Sequence, residues 1–280
     1  MIRVEEFGEP DGKPLLVHPG SPGSRRLFRP HAELAAREFG LRLLSYDRPG
    51  YGGRPRRRGR RIAGAVTDVR CIASALGIER MGVWGFSGGG PYALACAALL
   101  PGLVTGAAVF ASFAPYGMPG LDFCEGMSPE YAAEVRLFFT DRTTARQHWR
   151  RDAGRLLATA STPEGWMARW GDAAGTDGAR SWEVACHLAA GVRDSLAEGD
   201  DGWWDDWAAI LTPWGCDLTT TRVPVRLWHG ARDRGVPVAH GRWLAAHVPG
   251  IVACIPEPED HTSVEHNHKE TAYAWLGGLA

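Results

Sequence analysis

A serine surrounded by glycines is the residue of this sequence best suited to chemistry. The stretch GFSGGG, residues 85–90, follows the apolar run RMGVW and precedes the helical pattern PYALACAALL. A nucleophilic serine on a tight turn needs neighbours without bulk, and the spacing G-x-S-x-G between a strand and a helix is typical of that arrangement. We predict that Ser87 is a nucleophile at the N-terminus of a helix, where free N–H groups face the same point. The alternative is a glycine-rich turn with an incidental serine.

A serine hydroxyl needs a base, and the base needs an orienting carboxylate. The loop HGARDRGVP supplies Asp233 after one apolar run, and the loop EDHTSV supplies His261 after the next. The order serine, aspartate, histidine is the one expected when these loops follow strands of a single parallel sheet. Asp205, Asp206 and Asp217 are rival acids if the middle of the chain folds unusually.

Short apolar runs alternate with helical patterns over the first 115 residues. The runs are PLLVH, LRLLSYD, RMGVWGF and LVTGAAVFAS, and apolar residues at helical spacing cover Ile62 to Leu76. Two more runs, VPVRLWHG and IVACIPEP, come late in the chain, with helical segments at His240–His247 and Glu265–Leu279. This alternation predicts an α/β fold with a mostly parallel, doubly wound sheet covered by helices on both faces.

The middle of the chain, residues 115–221, differs in composition. It shows no convincing strand pattern and contains eight of the twelve tryptophans: Trp149, Trp166, Trp170, Trp182, Trp203, Trp204, Trp207 and Trp214. We predict a helical lid inserted between the two parts of an α/β core, residues 1–114 and 222–280. Phe86, Tyr92 and Trp204 are candidates to line an aromatic pocket for a mostly apolar substrate, while most lid tryptophans form the lid's own core.

The composition argues against several classes of protein. The formal net charge of −1 gives no general attraction to nucleic acid or to an anionic membrane, so we expect neither as a partner. The polar first 11 residues contain no apolar signal segment, and no apolar run is long enough for a spanning helix. We therefore expect a soluble, cytoplasmic monomer or homodimer. The six cysteines form no CxxC pair and are expected to be free, mostly buried thiols.

Two further segments have alternative interpretations. The run RPRRRGRR, Arg54–Arg61, contains six arginines that could bind phosphate or nucleic acid, but it lacks interleaved aromatic residues and is interpreted as a solvated loop. His266 and His268 fall where the last helix should begin and are expected to face solvent. A metal site there is the alternative, although no further ligands lie nearby. His18 and His229 adjoin glycine turns and are expected to make structural hydrogen bonds.

Five motifs together resemble the α/β-hydrolase superfamily. HPGSPGS, DRPGYGG, GFSGGG, HGARDRGVP and EDHTSV span nearly the whole chain outside its middle section. The segment PWGCDL also resembles a bacterial group of small hydrolases that lack a defined substrate. The resemblance implies Ser87 as nucleophile, His261 as base and Asp233 as orienting acid. No cofactor motif appears in the sequence, so we expect neither a cofactor nor a metal.

The resemblance also implies an oxyanion hole. One donor would be the N–H of Gly88, the residue after the nucleophile. The other would be the N–H of Ser21, since the family's His-Gly dipeptide aligns on Pro19–Gly20. The sequence departs from the family at HPG, residues 18–20, and at Asp260, where a glycine is common before the histidine. Asp260 would add a negative charge near the base.

The implied reaction is attack of the serine on an acyl carbonyl, followed by hydrolysis of the acyl-enzyme. The resemblance thus predicts a serine hydrolase of a small-molecule carboxylic ester or lactone. A serine nucleophile argues against epoxide hydrolysis and haloalkane dehalogenation, which in the superfamily use an aspartate at this position. Two alternatives remain. One is a biosynthetic acyltransferase, thioesterase or cyclase that uses the same three residues, and the other is a non-catalytic ligand-binding relative.

Overall fold

The structure, a computed structural model, describes residues 1–170 and 178–279 of the chain. Its described strands are β1 Val4–Phe7, β2 Lys13–His18, β3 Leu41–Tyr46, β4 Met81–Phe86, β5 Val104–Phe110, β6 Val225–Trp228 and β7 Val252–Cys254. They form one sheet in the order β1-β3-β2-β4-β5-β6-β7. β1 is antiparallel to β3 and the other pairs are parallel. The carboxyl ends of β2 to β7 therefore meet at one edge of the sheet.

Helices cover both faces of the sheet. Those described are α1 Arg29–Phe39, α2 Ala65–Leu76, α3 Gly90–Leu99, α4 Pro129–Thr140, α5 Arg142–Ala160, α6 Pro163–Trp170, α7 Gly178–Leu196, α8 Asp201–Ile210, α9 Val238–His247 and α10 Ser263–Gly277. α1 and α10 contribute to the buried core on one face, and α2, α3 and α9 to the core on the other. No described helix is both long and apolar enough to cross a bilayer.

Alternate residues of β2 and β3 supply the two cores. Leu15 and Leu43 pack with α1 and α10, whereas Leu16 and Leu44 pack on the opposite face, and all four are buried. Successive side chains of a strand point to opposite faces, so a strand that is covered on both sides reads as a continuous apolar run. The predicted α/β fold with a mostly parallel sheet is confirmed.

Five helices, α4 to α8, lie in the chain between β5 and β6, and the described residues of that section contain no strand. α8 is packed into the main core, because Trp204, Trp207 and Ile210 belong to the same buried cluster as Val83 of the sheet. The section that we predicted to be a lid thus shares its packing with the core. The side chain of Trp170 lies outside the described residues.

β1 is absent from the elements that we predicted. Its sequence, VEEF, places two glutamates in succession and lacks an apolar run. Of the described strands, β3 alone pairs with it, so it lies at an edge of the sheet, where polar residues can stay in contact with water.

The six cysteines are all free, but the expectation that most are buried is wrong. Cys96 is buried within α3, whereas Cys71 on α2 and Cys254 on β7 are exposed and the other three are half-buried. The apolar pattern around Cys71 identifies a helix correctly. It does not show that this residue lies on the helix's solvent side.

Candidate active site

Ser87 lies on a sharp turn between β4 and α3. Its φ is +52°, in the left-handed region that residues with a Cβ rarely adopt. A single helical turn at Ser87–Gly89 then leads directly into α3. This is the local geometry of a nucleophile elbow, in which the hydroxyl stands above the end of the strand.

The glycines around Ser87 are required by close backbone contacts. A Cβ on Gly85 would lie 2.7 Å from the carbonyl oxygen of Gly89, and a Cβ on Gly89 would lie 2.0 Å from that of His18. Both distances are shorter than a carbon–oxygen contact allows. The turn can therefore be built only with glycine at these two positions.

Ser87, His261 and Asp233 form a continuous hydrogen-bonded chain. The Oγ of Ser87 lies 3.0 Å from Nε2 of His261, and Nδ1 of His261 lies 2.7 Å from Oδ2 of Asp233. A carboxylate only accepts hydrogen bonds, so Nδ1 donates to Asp233, which leaves Nε2 of the neutral ring as an acceptor for the serine proton. The arrangement can draw a proton from Ser87 as its oxygen attacks an electrophile.

The loops after β6 and β7 hold the other two members of this chain. Oδ1 of Asp233 accepts hydrogen bonds from the N–H groups of Gly235, at 2.9 Å, and Val236, at 2.8 Å. These bonds leave Oδ2 directed at the histidine. Asp260 fixes the start of α10 by accepting from the N–H groups of Thr262 and Ser263, both at 2.9 Å, and so places His261 just before the helix.

Neighbouring charges raise the pKa of His261. Partial burial alone would lower it, but the charge and hydrogen bond of Asp233, with smaller contributions from Asp260 and Glu265, more than offset burial. The ring keeps 28% of its side-chain surface exposed. The imidazolium that forms when His261 accepts a proton is thereby stabilised.

The predicted oxyanion residues lie beside each other. A Cβ on Gly88 would lie 2.7 Å from Oγ and 3.3 Å from the backbone nitrogen of Ser21, and a Cβ on Gly20 would lie 3.5 Å from the Cβ of Ser87. The loop after β2 thus packs directly on the elbow. The backbone of Ser21 and the first turn of the helix after Ser87 face the same small region.

A carboxylate from α8 holds this loop in place. Asp206 is fully buried, and each of its oxygens accepts three hydrogen bonds. Oδ2 accepts from Oγ of Ser21 at 2.6 Å, from Nη2 of Arg48 at 2.7 Å and from the hydroxyl of Tyr51 at 2.7 Å. Oδ1 accepts from Nε of Arg48 at 3.0 Å, from Nη2 of Arg60 at 2.6 Å and from the hydroxyl of Tyr92 at 2.8 Å.

Arg48 extends the same network along the backbone of the loop. Its Nη1 donates to the carbonyl oxygen of Pro19 at 2.7 Å, and its Nη2 donates to that of Gly20 at 2.8 Å. Asp206 and Arg48 together fix three consecutive residues, 19–21, next to Ser87 and Gly88. We use the name Asp206 network for Asp206 and Arg48, the residues 19–21 that they hold, and Arg60, Tyr51 and Tyr92.

The two arginines keep Asp206 ionised. Burial alone would raise the pKa of this carboxyl, but the charges of Arg48 and Arg60 and the hydrogen bonds from Arg48 and Ser21 hold it well below its usual range. A buried ion is costly unless it is paired and fully hydrogen-bonded, and six donors satisfy that condition here.

None of the three rival acids forms a hydrogen bond or an ion pair with His261, whose side chain contacts Ser87 and Asp233 in this way. Asp206 belongs to the network just described. Asp205 accepts two hydrogen bonds from Arg56, both at 2.8 Å. Asp217 caps a surface turn by accepting from the N–H of Thr219 at 2.9 Å.

Two of the three predicted pocket residues have other roles. Tyr92 is buried, and its hydroxyl is bound in the Asp206 network because a buried hydroxyl must find a polar partner. Trp204 is also buried, with its ring 5.9 Å from that of Trp149 and 5.5 Å from that of Phe138, so it forms part of an aromatic core shared by α4, α5 and α8. Phe86 is half-buried with its ring 5.1 Å from that of His261, which places it beside the chain from Ser87 through His261 to Asp233.

The interpretation of the arginine run as a solvated loop is wrong for half of its members. Arg60 is buried in the Asp206 network. Two more arginines of the run form ion pairs, Arg54 with Asp68 and Arg56 with Asp205. Carboxylates distant in the sequence neutralise these arginines, and a local pattern cannot show such partners.

Four other histidines, His18, His229, His266 and His268, are not part of the hydrogen-bonded chain from Ser87 through His261 to Asp233. His18 and His229 are fully buried, and Nε2 of His229 lies 2.7 Å from the carbonyl oxygen of Val236. His266 is exposed and His268 is half-buried. Among the described residues, no group of three histidine, cysteine or acidic side chains is arranged to hold a metal ion.

Comparison with known proteins identifies the fold. Residues 13–151 match the profile of a family described as having the alpha/beta hydrolase fold. No curated protein is significantly similar in sequence.

Solved structures with the same fold cover almost the whole chain. An enol-lactonase from Burkholderia xenovorans LB400 has a TM-score of 0.62 at 18% identity, covering 98% of this chain and 94% of its own. An esterase from Exiguobacterium antarcticum has a TM-score of 0.66 at 17% identity, covering 99% and 94%. A bromoperoxidase from Bacillus anthracis has a TM-score of 0.64 at 20% identity, covering 98% and 93%. The sheet, the family match over residues 13–151 and these neighbours show that the chain has the alpha/beta hydrolase fold.

Proposed function

We propose that this protein is a serine hydrolase that cleaves a carboxylic ester or a lactone through an acyl-enzyme. The observation that carries the proposal is the hydrogen-bonded chain from Ser87 through His261 to Asp233, with separations of 3.0 and 2.7 Å, on a nucleophile elbow. Serine, histidine and aspartate in this geometry are the groups that acyl transfer requires.

In the first half of the reaction, Oγ of Ser87 forms a bond to the acyl carbon while His261 takes the serine proton on Nε2. The carbonyl oxygen becomes an oxyanion in the tetrahedral intermediate. It accepts hydrogen bonds from the N–H groups of Gly88 and Ser21. The bond to the leaving alkoxide then breaks, and His261 gives its proton to that oxygen.

Water completes the cycle. It loses a proton to His261 and its oxygen attacks the acyl carbon, so a second tetrahedral intermediate forms in the same place. Collapse of that intermediate returns the proton to Oγ of Ser87 and releases the acid. Asp233 keeps Nδ1 of His261 protonated throughout and stabilises the imidazolium that forms twice per turnover.

The Asp206 network acts on the same reaction as a positioning device. Ser21 can serve as an oxyanion donor only if its backbone N–H stays fixed near Gly88, because the donors must be in place before charge develops. Asp206 holds the side chain of Ser21, and Arg48 holds the two preceding carbonyl groups. Asp206 lies on α8, so we propose that the helical lid takes part in assembling the site as well as covering it.

The choice of an ester or a lactone draws support from two of the neighbours, which are described as an esterase and an enol-lactonase. A fold at this identity hosts many chemistries, so the site itself has to decide. Phe86, beside His261, gives the reacting region an apolar wall that suits an uncharged acyl group.

A fluorophosphonate probe and a chromogenic ester test the proposal. Fluorophosphonate should label Ser87 alone, and 4-nitrophenyl acetate should show a burst of nitrophenol followed by steady turnover. Ser87→Ala should abolish both signals, and Asp233→Asn should lower kcat roughly 10³- to 10⁴-fold with folding intact, because the wrong histidine tautomer is favoured.

Labelling or turnover that survives in Ser87→Ala would refute the assignment of the nucleophile. No turnover of any ester or lactone by the wild-type protein, despite labelling, would favour a non-hydrolytic relative. Products formed with an added alcohol or amine in place of the free acid would show acyl transfer instead of hydrolysis.

A further inference from the structure

A cavity of about 190 Å³ lies beside the arginine run, and its lining does not include Ser87, Asp233 or His261. Residues of the run line it together with side chains from the end of β3 and the loop that follows. The lining residues include Tyr46, Arg48, Arg57, Arg58, Arg60 and Arg61. The cavity is below the range of about 300–1,000 Å³ that is typical of drug-sized ligands, but it is far larger than a single water needs. It therefore has room for a small polar group.

A tight turn brings the arginines together at this cavity. The N–H of Arg60 donates to the carbonyl oxygen of Arg57 at 3.3 Å. Gly59, at the third position of the turn, has a φ of +66°, which favours glycine. The chain reverses there, and the side chains of Arg57, Arg58 and Arg60 all contribute to the same wall.

The cavity has an excess of positive charge. Arg57, Arg58 and Arg61 are exposed, and none of their guanidinium groups makes a hydrogen bond or an ion pair with the described residues. Asp68 also lines the cavity, but its two oxygens accept from Arg54 at 2.7 and 2.9 Å. Three guanidinium groups are thus left without a counter-ion.

Two buried donors of the wall also lack partners. The hydroxyl of Tyr46 and Nε of Arg60 make no hydrogen bond with the described part of the chain, although Tyr46 is 1% exposed and Arg60 is 9% exposed. Buried polar atoms in proteins are nearly always hydrogen-bonded, so two unpaired donors on residues that line one cavity point to a hydrogen-bonding partner bound there. An arginine Nε only donates, and burial raises the pKa of Tyr46, which keeps its hydroxyl protonated. The partner must accept hydrogen bonds.

We propose that this cavity binds the phosphate group of a small ligand. A phosphate carries up to two charges and presents acceptor oxygens in several directions, whereas a carboxylate presents only two oxygens in one plane. Several guanidinium groups around one cavity, with a tyrosine hydroxyl and an arginine Nε as additional donors, match the phosphate better. The proposal does not depend on the hydrolase activity.

Isothermal titration of the Ser87→Ala protein with inorganic phosphate at 0.15 M salt tests this site while the proposed nucleophile is removed. Glycerol phosphate in a parallel titration separates free phosphate from a phosphate monoester as the ligand. We expect saturable binding of one phosphate per chain by at least one of the two. Replacing Arg57 and Arg58 together by glutamine should weaken it at least about tenfold, since charge-assisted hydrogen bonds to phosphate are lost.

Two variants make the test specific. Tyr46→Phe removes one donor without changing the charge and should weaken phosphate binding roughly threefold to tenfold. Replacing the exposed Arg37 and Arg80 by glutamine changes the net charge equally on other surfaces and should leave the affinity unchanged. Circular dichroism checks that each variant is folded.

No saturable binding of either ligand would overturn the proposal, and so would an equal loss of affinity in the Arg37 and Arg80 control. A single-stranded oligonucleotide that binds tightly while neither phosphate compound binds would also overturn it. The arginine turn would then recognise a polyanion at the surface. Unchanged affinity in Tyr46→Phe would exclude the buried cavity as the place of binding.

Discussion

The Asp206 network gives the sharpest prediction, because a one-atom change should disturb both stability and catalysis. In Asp206→Asn, an NH2 group replaces one carboxylate oxygen, and the negative charge disappears. Each oxygen accepts three hydrogen bonds, one of them from Arg48, so either orientation of the amide leaves its NH2 group facing donors. Two buried guanidinium groups also lose their counter-ion.

Removing one partner of a buried ion pair costs about 3–5 kcal/mol of unfolding free energy. That is a large part of the roughly 5–15 kcal/mol by which a domain is stable. At roughly 2–4 °C per kcal/mol for a chain of this size, the midpoint of thermal unfolding should fall by about 6–20 °C. Urea unfolding followed by circular dichroism measures the free energy directly.

The neighbouring Asp205 provides a matched control. It also accepts two hydrogen bonds from an arginine, but its partner Arg56 is 23% exposed, so water can replace the lost contacts. Asp205→Asn should therefore cost only about 1 kcal/mol. The comparison holds the residue type and the helix constant, while the exposure of the arginine partner and the number of hydrogen bonds differ, with six to Asp206 and two from Arg56 to Asp205.

Catalysis should respond separately from stability. At a temperature where Asp206→Asn is still folded, the loop with Ser21 loses part of its anchor, and one oxyanion donor is worth about 10²- to 10³-fold in kcat. We expect kcat for 4-nitrophenyl acetate to fall by at least about tenfold and by no more than about 10³-fold, with a smaller change in KM. An Asp206→Asn protein with wild-type kcat, or one no less stable than Asp205→Asn, would refute the positioning role.

Two further predictions concern the histidine and the elbow. The charge of Asp260 raises the pKa of His261, so Asp260→Asn should move the acid limb of the kcat/KM profile to lower pH, because the base must be neutral to accept the serine proton. Glu257→Gln, an exposed change in the same loop, should leave that limb in place, and an equal shift in both variants would contradict the assignment. Gly89→Ala should fail to fold or should lose activity, since its Cβ would lie 2.0 Å from a backbone oxygen. Gly102→Ala, with open space around its Cβ, should behave like wild type, and a normal Gly89→Ala protein by thermal unfolding and ester turnover would contradict the steric argument.

The α/β fold could be predicted because its signals are local. Buried parallel strands read as apolar runs, and such runs predict six of the seven strands in the described part of the chain. β1 was missed because an edge strand with consecutive glutamates has no such run. Once the strands are parallel, residues that follow β4, β6 and β7 must come to the same edge of the sheet. That is why Ser87, Asp233 and His261 could be named together from their places after apolar runs.

The partners of Asp206 could not be predicted, and only the tertiary structure decided them. From the sequence, Asp206 was a rival acid, Tyr92 and Trp204 were pocket residues and the arginine run was a solvated loop. In the structure, Asp206 and Arg48 are 158 positions apart, and Asp206 and Ser21 are 185 positions apart. A local pattern shows the period and polarity of a segment, but an ion pair depends on which segments meet. That meeting is set by the packing of α8 against the sheet, and with it the choice of which charges are buried and paired and which remain in water.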